Sequence, residues 1–425
     1  MRIALEREDG AISSFELYSP PPGSSETKQF LPCLERIVKF LLWQKGGFRI
    51  TVGGPKEYAA YLSDIYSDSG ARKFDADFMA RIYQHPFEVL SSTYDSAPLS
   101  DESSVQMGGN NDGCRVGIDL GGSSRTACAM QDGKVIFTET LHWNPTPESD
   151  PQYHISALKE SIRRAAAHLP RLDAVGISSA GVYIGNRVRI GSIYRGVSIE
   201  DFTAHITDMY PDLSKELGVP VLVANDGEVT ALSGTISDNL YPVLGLALGS
   251  ALGGGYVNRE GKIPGWLDEL EFVPLDMAEN APCAEWSGDK GTSVDYLSQQ
   301  AAVRLGEILG IPLDPTLPMG ARFRSIQNLM DTGDSKAMMI FMEMGRFLAG
   351  AVRCYDLFYD LDNIILMGGV IGGTGGEVML ATAKQTLKID EPKLLDRINL
   401  LLPSEEMRKT GQAMAAATLP KIRRS

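Results

Sequence analysis

The sequence predicts an α/β protein of two similar lobes preceded by a small α/β extension. Three observations predict it. Short apolar strands alternate with amphipathic helices through most of the 425 residues, the pattern of sheets covered by helices. Two segments, from Cys114 and from Val243, open alike, with a strand, a glycine-rich tip and a second strand before any helix. A polar, turn-rich stretch from Asp95 to Gly113 (DSAPLSDESSVQMGGNNDG) separates this duplicated part from what precedes it. The expected domains are the extension and linker at 1–112, a first lobe at 113–234 and a second lobe at 235–425, whose last helix packs back on the first.

The extension begins as a hairpin: MRIALERE, the turn Asp9-Gly10, then AISSFELY. LERIVKFLLWQ is an apolar helix stopped by Gly46-Gly47, FRITV a short strand, and PKEYAAYLSDIY a helix opened by Pro55. Phe40 and Trp43 are expected in the core. In the first lobe RVGIDL and SRTACAM are strands flanking Gly121-Gly122, and Asp132-Gly133 turns the chain into a third strand, VIFTETL. A helix follows, with Asp150 as N-cap, Pro151 at its first position, and Ile155, Leu158, Ile162 and Leu169 on one face. Strand DAVGIS, a loop through RVRIGS, a helix over 200–216, strand PVLVA and helix GEVTALSG complete the lobe. The second lobe reads VLGLALG, a glycine turn, GGGYVN, helices over 293–309, 321–331 and 335–356, strand NIILMGG, a helix, strand INLLLP and a last helix over 411–418. The run MMIFMEMG at 338–345 is expected to pack in the core.

Hydrophobic residues make up 43% and charged residues 22%, which excludes a disordered chain. Lys plus Arg number 40 against 54 Asp plus Glu, a net charge of −14, so neither a nucleic-acid backbone nor an anionic membrane is expected as partner. The cysteines (Cys33, Cys114, Cys128, Cys283, Cys354) are odd in number and contain no C-x-x-C pair, against a disulfide framework or an iron–sulfur cluster. The opening MRIALEREDG is no signal peptide. The longest uncharged stretch, Asn239 to Asn258, holds Pro242 and five glycines, which suits a buried strand–turn–strand better than a membrane helix. A cytoplasmic protein is expected.

Asp119-Leu-Gly-Gly-Ser-Ser-Arg125 has the makings of a phosphate cradle. Gly121 and Gly122 admit backbone N–H groups close to a phosphate, and Ser123 and Ser124 add hydroxyl donors. In a dinucleotide site such glycines open a helix, and in a Walker loop they end in Gly-Lys-Ser/Thr. Here they lead into another strand, and an ordinary tight hairpin is the alternative. Leu248-Gly-Ser-Ala-Leu-Gly-Gly-Gly255 repeats the logic in the second lobe through Gly249, Ser250, Gly253 and Gly254. A third cluster, Leu366-Met-Gly-Gly-Val-Ile-Gly-Gly373, follows a buried strand and precedes a helix, where Gly368 and Gly369 could pack against a nucleoside.

In order, Asp119-Leu-Gly-Gly, Ser178-Ser-Ala-Gly181, Asn225-Asp226-Gly-Glu, Leu248-Gly-Ser and Met367-Gly-Gly resemble the motifs of the ROK sugar kinases, within the wider actin/hexokinase/Hsp70 superfamily. The resemblance covers roughly residues 114–418. It implies two RNase H-like, actin-type ATPase lobes with a cleft between them, ATP and Mg²⁺ as cofactors, and a homodimer. Residues 1–112 lie outside it and resemble the extension of a ROK-like hexokinase subgroup.

Asn225-Asp226 ends the strand PVLVA just before a helix, so a carboxylate there faces the cleft and can accept the proton of an attacking hydroxyl. Asn-Asp-Gly is also a common turn and helix start. The resemblance implies that Asp226 is the catalytic base and that Asn225, with Ala180 and Gly181, contacts the sugar. It further implies that the three glycine clusters and Arg125 hold the nucleotide, and that Asp119 holds Mg²⁺ through water. Gly265-Trp-Leu-Asp-Glu269-Leu-Glu-Phe272 resembles the family's sugar-contacting G-x-x-G-E-x-G-H segment. Glu269 falls on its sugar-binding glutamate, whereas Asp268 replaces a glycine and Phe272 the zinc-ligand histidine. Cys283-Ala-Glu285-Trp-Ser-Gly288 resembles the end of the family's zinc loop, keeping Glu285 as a second sugar contact but only Cys283 of its cysteines. A structural zinc needs four ligands, so none is expected. Ile190-Gly-Ser-Ile-Tyr-Arg195-Gly196 stands in place of the family's Asn-Leu-x-x-Trp substrate loop, and Arg195 there either meets an anionic substrate or makes a surface salt bridge.

The implied function is ATP-dependent phosphorylation of a hydroxyl on a sugar or sugar derivative. The alternative is a sugar- or nucleotide-sensing protein with little or no kinase activity. A DNA-reading repressor is disfavoured because residues 1–112 carry 11 Lys/Arg against 16 Asp/Glu and start as a hairpin. The histidines are scattered and read as structural or exposed.

Overall fold

The computed structural model describes residues 1–403 and 405–422, so the far end of the second lobe, expected to reach residue 425, lies outside the described residues. The chain forms two compact units: Met1–Val105 with Pro264–Thr292, and Gln106–Ile263 with Ser293–Ser425.

The first unit contains strands β1 (Arg2–Glu6) and β2 (Ile12–Glu16), helix α1 (Thr27–Lys45), strand β3 (Arg49–Gly53), helices α2 (Lys56–Ile65) and α3 (Lys73–Tyr83), and strand β4 (Glu88–Ser92). Its sheet has the order β2-β1-β3-β4. The hairpin is antiparallel around Gly10 (φ 81), and β3 joins β4 in parallel. Trp43 and Phe40 are buried as expected. Segment 264–292, expected in the second lobe, belongs to this unit. The reason is local: the N–H groups of Asp268 and Glu269 donate to the carbonyls of Gln44 and Trp43 at the end of α1 (2.9 and 3.1 Å), and the ring of Phe272 lies 4.1 Å from that of Trp43.

The second unit opens with β5 (Cys114–Leu120), β6 (Ser124–Gln131), β7 (Lys134–His142), helix α4 (Pro151–Ala166), and strands β8 (Ala174–Ser179), β9 (Val182–Ile184) and β10 (Arg187–Ile190). A single turn α5 (Ile199–Asp201), helix α6 (Met209–Leu217), strand β11 (Val221–Asn225) and helix α7 (Asp226–Asp238) follow. The sheet order is β11-β8-β5-β6-β7, with β5 antiparallel to β6 and parallel to β8. The second half holds β12 (Val243–Leu248), β13 (Leu252–Val257), helices α8 (Gln299–Ile308), α9 (Met319–Asp331) and α10 (Ser335–Tyr355), strand β14 (Asn363–Met367), helices α11 (Gly373–Asp390) and α12 (Pro392–Arg397), strand β15 (Asn399–Leu401) and helix α13 (Glu405–Ala417). Its sheet, β13-β12-β14-β15, repeats the first, with a hairpin whose first strand, β12, pairs in parallel with β14, which in turn pairs in parallel with β15. Among the described residues it has no counterpart of β7, because the chain leaves after Ile263 for the first unit.

Three expectations change. The helix read over 200–216 is broken into α5, a π-turn at Phe202–Ile206 and α6. Pro211 has no N–H for an unbroken helix, so the helix restarts with proline in its first turn. The loop through RVRIGS is strand β10, joined to β9 by Gly185-Asn186 (φ 60 and 65). The methionine run is only partly core, since Met344 is buried whereas Met338 and Met339 are 41% and 53% exposed.

Helix α13 crosses β5, β6 and β8 of the first sheet. It can lie so close because of two glycines: a Cβ on Gly117 would sit 1.8 Å from the Ala413 carbonyl oxygen, and one on Gly176 would sit 1.7 Å from that of Ala416. The fully buried Arg115 holds the chain beyond α13 by donating to the Pro420 carbonyl at 2.6 Å.

Candidate active site

Strands β5, β8 and β11 run parallel, with Asp119 beside Ser178 and Leu120 beside Ser179, which in turn pairs with Asn225. Asp119 and Asp226 therefore stand at the carboxyl ends of strands in one sheet, where α/β proteins place their ligands. Ser178 Oγ donates to Asp119 Oδ1 at 2.8 Å. Burial pushes Asp119 up to about 6, and the Ser178 hydrogen bond opposes the rise. Asp226 is pushed up to about 7, first by burial and then by the negative charge of Asp119. Its Oδ1 is buried without a hydrogen-bond partner.

Asn225 holds Asp226 in place. It caps α7, its Oδ1 accepting from Gly227 N at 2.7 Å, while Glu228 closes a capping box on the Asn225 N–H. Its Nδ2 donates to the Gly181 carbonyl at 2.9 Å. Gly181 (φ 136) has no room for a side chain, a Cβ there falling 2.5 Å from the Ile190 carbonyl. The Ala180 carbonyl accepts from the Tyr183 hydroxyl at 3.1 Å.

The first glycine tip is a closed turn, Gly121 N–H donating to the Ser124 carbonyl at 2.9 Å. Trp143, which the sequence did not single out, clamps it: its N–H donates to the Ser123 carbonyl and its Nε1 to that of Gly121 at 2.7 Å. Opposite lies the second tip, since a Cβ on Gly122 would meet Ser250 Oγ at 2.8 Å. Gly249 accepts from the N–H of Gln299 at the start of α8, and Gln300 Nε2 donates to the Ser250 carbonyl. Gly368 (φ 97) packs against the Leu248 carbonyl, and the Gly369 carbonyl accepts from Gln327 Nε2 at 3.0 Å. The three clusters thus gather around the ends of β5, β12 and β14.

Two sets of residues expected at the nucleotide have other partners in this structure. Arg125 points away from the tip and is held by the Ala157 carbonyl and Glu160 of α4. Gly253 and Gly254 lie in β13 against the start of α7 rather than at the tip. A Cβ on Gly253 would sit 2.4 Å from Asp226 Oδ1, and one on Gly227 would sit 2.1 Å from the Gly254 carbonyl. These glycines make room for the carboxylate.

In the other unit, Glu269 is buried and Glu285 exposed. Arg195 is exposed at the end of the short 3₁₀ turn Ser192–Tyr194. The residues at the zinc-loop positions do not fit a zinc ion. Phe272 is buried among Trp43, Phe78 and Trp286, and Cys283 is exposed. Among the described residues no group of three or more His, Cys, Asp and Glu side chains could hold a metal ion.

Two sheets of matching topology, each opening on a glycine-tipped hairpin, define the two-lobed actin-type ATPase fold. The ROK family model matches residues 115–388, and the chain belongs to the ROK family. An N-acetyl-D-glucosamine kinase of Haemophilus influenzae is 27% identical over an alignment 201 residues long that covers 43% of this chain and 62% of that protein, less than two thirds of its length. A ROK family glucokinase from Streptomyces griseus, solved with glucose and AMPPNP, aligns with 72% of this chain and 98% of its own, at a TM-score of 0.56 and 20% identity. A ROK family transcriptional regulator, a homologue of the E. coli Mlc protein, aligns with 73% and 78%, at 0.55 and 18%. The two structural likenesses are of fold.

Proposed function

We propose that the protein catalyses ATP-dependent phosphorylation of a hydroxyl on a sugar or sugar derivative, with Asp226 as general base. The observation that carries this is the Asp226 carboxylate, whose Oδ1 is buried, lacks a partner and is shifted to about 7 beside Asp119. A half-buried carboxylate with one buried, unpartnered oxygen and a pKa near neutrality suits removal of a hydroxyl proton as the phosphoryl group arrives.

Two nearby carboxylates, both pushed up by burial, favour a cation between or beside them. Asp119 is assigned to hold Mg²⁺ through water, and Mg²⁺ arriving with the nucleotide supplies neutralisation of the phosphate charge. The amides and hydroxyls of Gly121, Gly122, Ser123 and Ser124, with Gly249, Ser250, Gly368 and Gly369, are assigned to the nucleotide. Ala180, Gly181 and Asn225 are assigned to the sugar side of the same strand ends. Glu269 and Glu285 are assigned to the sugar on the resemblance of their segments alone.

The named relatives act on N-acetylglucosamine and glucose, which makes hexoses and their N-acetyl derivatives the first substrates to test. A screen of glucose, mannose, N-acetylglucosamine and N-acetylmannosamine for sugar-dependent ADP release is expected to find at least one substrate. Nucleotide and sugar binding without turnover on any of them would favour the sensing alternative.

A further inference from the structure

The segment Pro264–Thr292 carries both glutamates assigned to the sugar, and among the described residues no group of three or more His, Cys, Asp and Glu side chains is placed to hold a metal. The segment is held by side chains of the extension. Asp289 receives two cations, Lys39 Nζ at 2.7 Å on Oδ2 and Arg72 Nη1 at 2.5 Å on Oδ1. Lys39 is fully buried and also binds both oxygens of Asp75, at 2.7 and 2.8 Å, while Trp43 Nε1 donates to Asp75 Oδ1 at 2.9 Å. Arg72 is completed by Glu35. Arg36, paired with Glu35, donates to the Lys290 carbonyl at 3.2 Å. Three cations and three carboxylates therefore close on one another around Asp289.

The second anchor is aromatic. Phe272 inserts among Trp43, Phe74, Phe78 and Trp286, with ring centroids 4.1 to 5.6 Å away. Just before Phe272, the backbone N–H of Glu269 is fixed on the Trp43 carbonyl and that of Asp268 on Gln44. Asp268 adopts φ 48, a left-handed conformation that a non-glycine residue keeps only where its surroundings impose it. Trp43 touches the ring of Phe272, the carboxylate of Asp75 and the amide of Glu269.

We infer that residues 1–105 serve as the scaffold of the substrate segment, fixing Glu269 and Glu285 through Asp289 and Phe272 in the way a bound zinc would fix such a loop. Lys39, Arg72, Asp75 and Trp43 are then positioning residues for sugar recognition. This rests on the assignment of Glu269 and Glu285 to the sugar, and the test separates the two claims.

Hydrogen–deuterium exchange on the full-length protein reads the scaffold without any substrate. Asp289→Asn and, independently, Phe272→Leu are expected to speed exchange at amides 268–269 and 283–291 at least about tenfold, leaving β5 and β8 unchanged. Asp289→Glu should restore protection in part. Treating the wild type with 1,10-phenanthroline should change nothing. Unaltered exchange in both variants, or loosening of the wild type by the chelator, overturns the scaffold. In turnover with the best sugar of the screen, Asp289→Asn should raise the sugar KM at least about tenfold with kcat and the ATP KM little changed. Loosened exchange with an unchanged sugar KM overturns the positioning role. If Glu269→Gln also leaves the sugar KM unchanged, it is the sugar assignment that fails.

Discussion

Asp226 shows how much of the proposed chemistry depends on one environment. Burial and Asp119 raise its folded pKa to about 7, above its ordinary value, so the fold favours the protonated acid. The contribution of this one group to stability is therefore fully present below its ordinary value of 3.8 and is lost as pH rises through the folded pKa, where the site must hold a costly charge. Asp226→Asn removes that cost. At pH 8 the variant should melt a few degrees higher than the wild type while turnover falls roughly 10²–10⁴-fold and nucleotide affinity barely moves. Calorimetry and steady-state kinetics on one preparation check both signs. Gly253 is the second test at this scale. Its missing Cβ is the space that Asp226 Oδ1 occupies, so Gly253→Ala should displace the carboxylate and cut turnover at least about tenfold with the circular dichroism spectrum retained.

At the scale of elements, capping and close packing carry the architecture. Asn225→Ala removes the cap of α7 and its tie to Gly181, and urea unfolding should show a loss of about 1–2 kcal/mol. Gly176→Val drives a branched side chain into the backbone of α13, with a loss of about 3 kcal/mol or more by the same measurement. The hairpins, the capped helix after Asp150 and the placing of Asp119 and Asp226 at strand ends were legible because local signals suffice for them: Asp-Gly turns, a proline at the first helical position, apolar strands running into glycine. Strand β4 was missed because EVLSS is largely exposed and shows no apolar run. The pairing of Arg125 with α4 was not legible because adjacency to a glycine tip says nothing about which face of a strand a side chain takes. Trp143 clamps that tip from 22 residues away, a distance at which no spacing rule operates. The home of segment 264–292 was hidden for the same reason, since the match of Phe272 with Trp43 and of Asp289 with Lys39 exists only once the extension is folded.

At the scale of the molecule, duplication explains the site. Each half of the larger unit begins with a glycine-tipped hairpin, and the repeat brings Gly122 against Ser250 beside two carboxylates. The smaller unit is held by ion pairs around Asp289 and aromatic rings around Phe272, and among the described residues no group of three or more His, Cys, Asp and Glu side chains could hold a metal ion. Its melting, followed by the fluorescence of Trp43, Trp266 and Trp286, should be unchanged by EDTA, and a chelator-induced drop would reveal a metal that the side chains do not suggest.

The most direct test of the central claim is the pH dependence of sugar-dependent ADP release by the wild type and by Asp226→Asn, measured between about pH 5 and 9. The wild-type kcat/KM for the sugar, which reports the free enzyme, should rise with unit slope on the acid side and level off above the titration of Asp226 near 7, while the variant stays roughly 10²–10⁴-fold lower without that limb. Full turnover in Asp226→Asn, or a wild-type rate indifferent to pH through neutrality, would contradict Asp226 as the base.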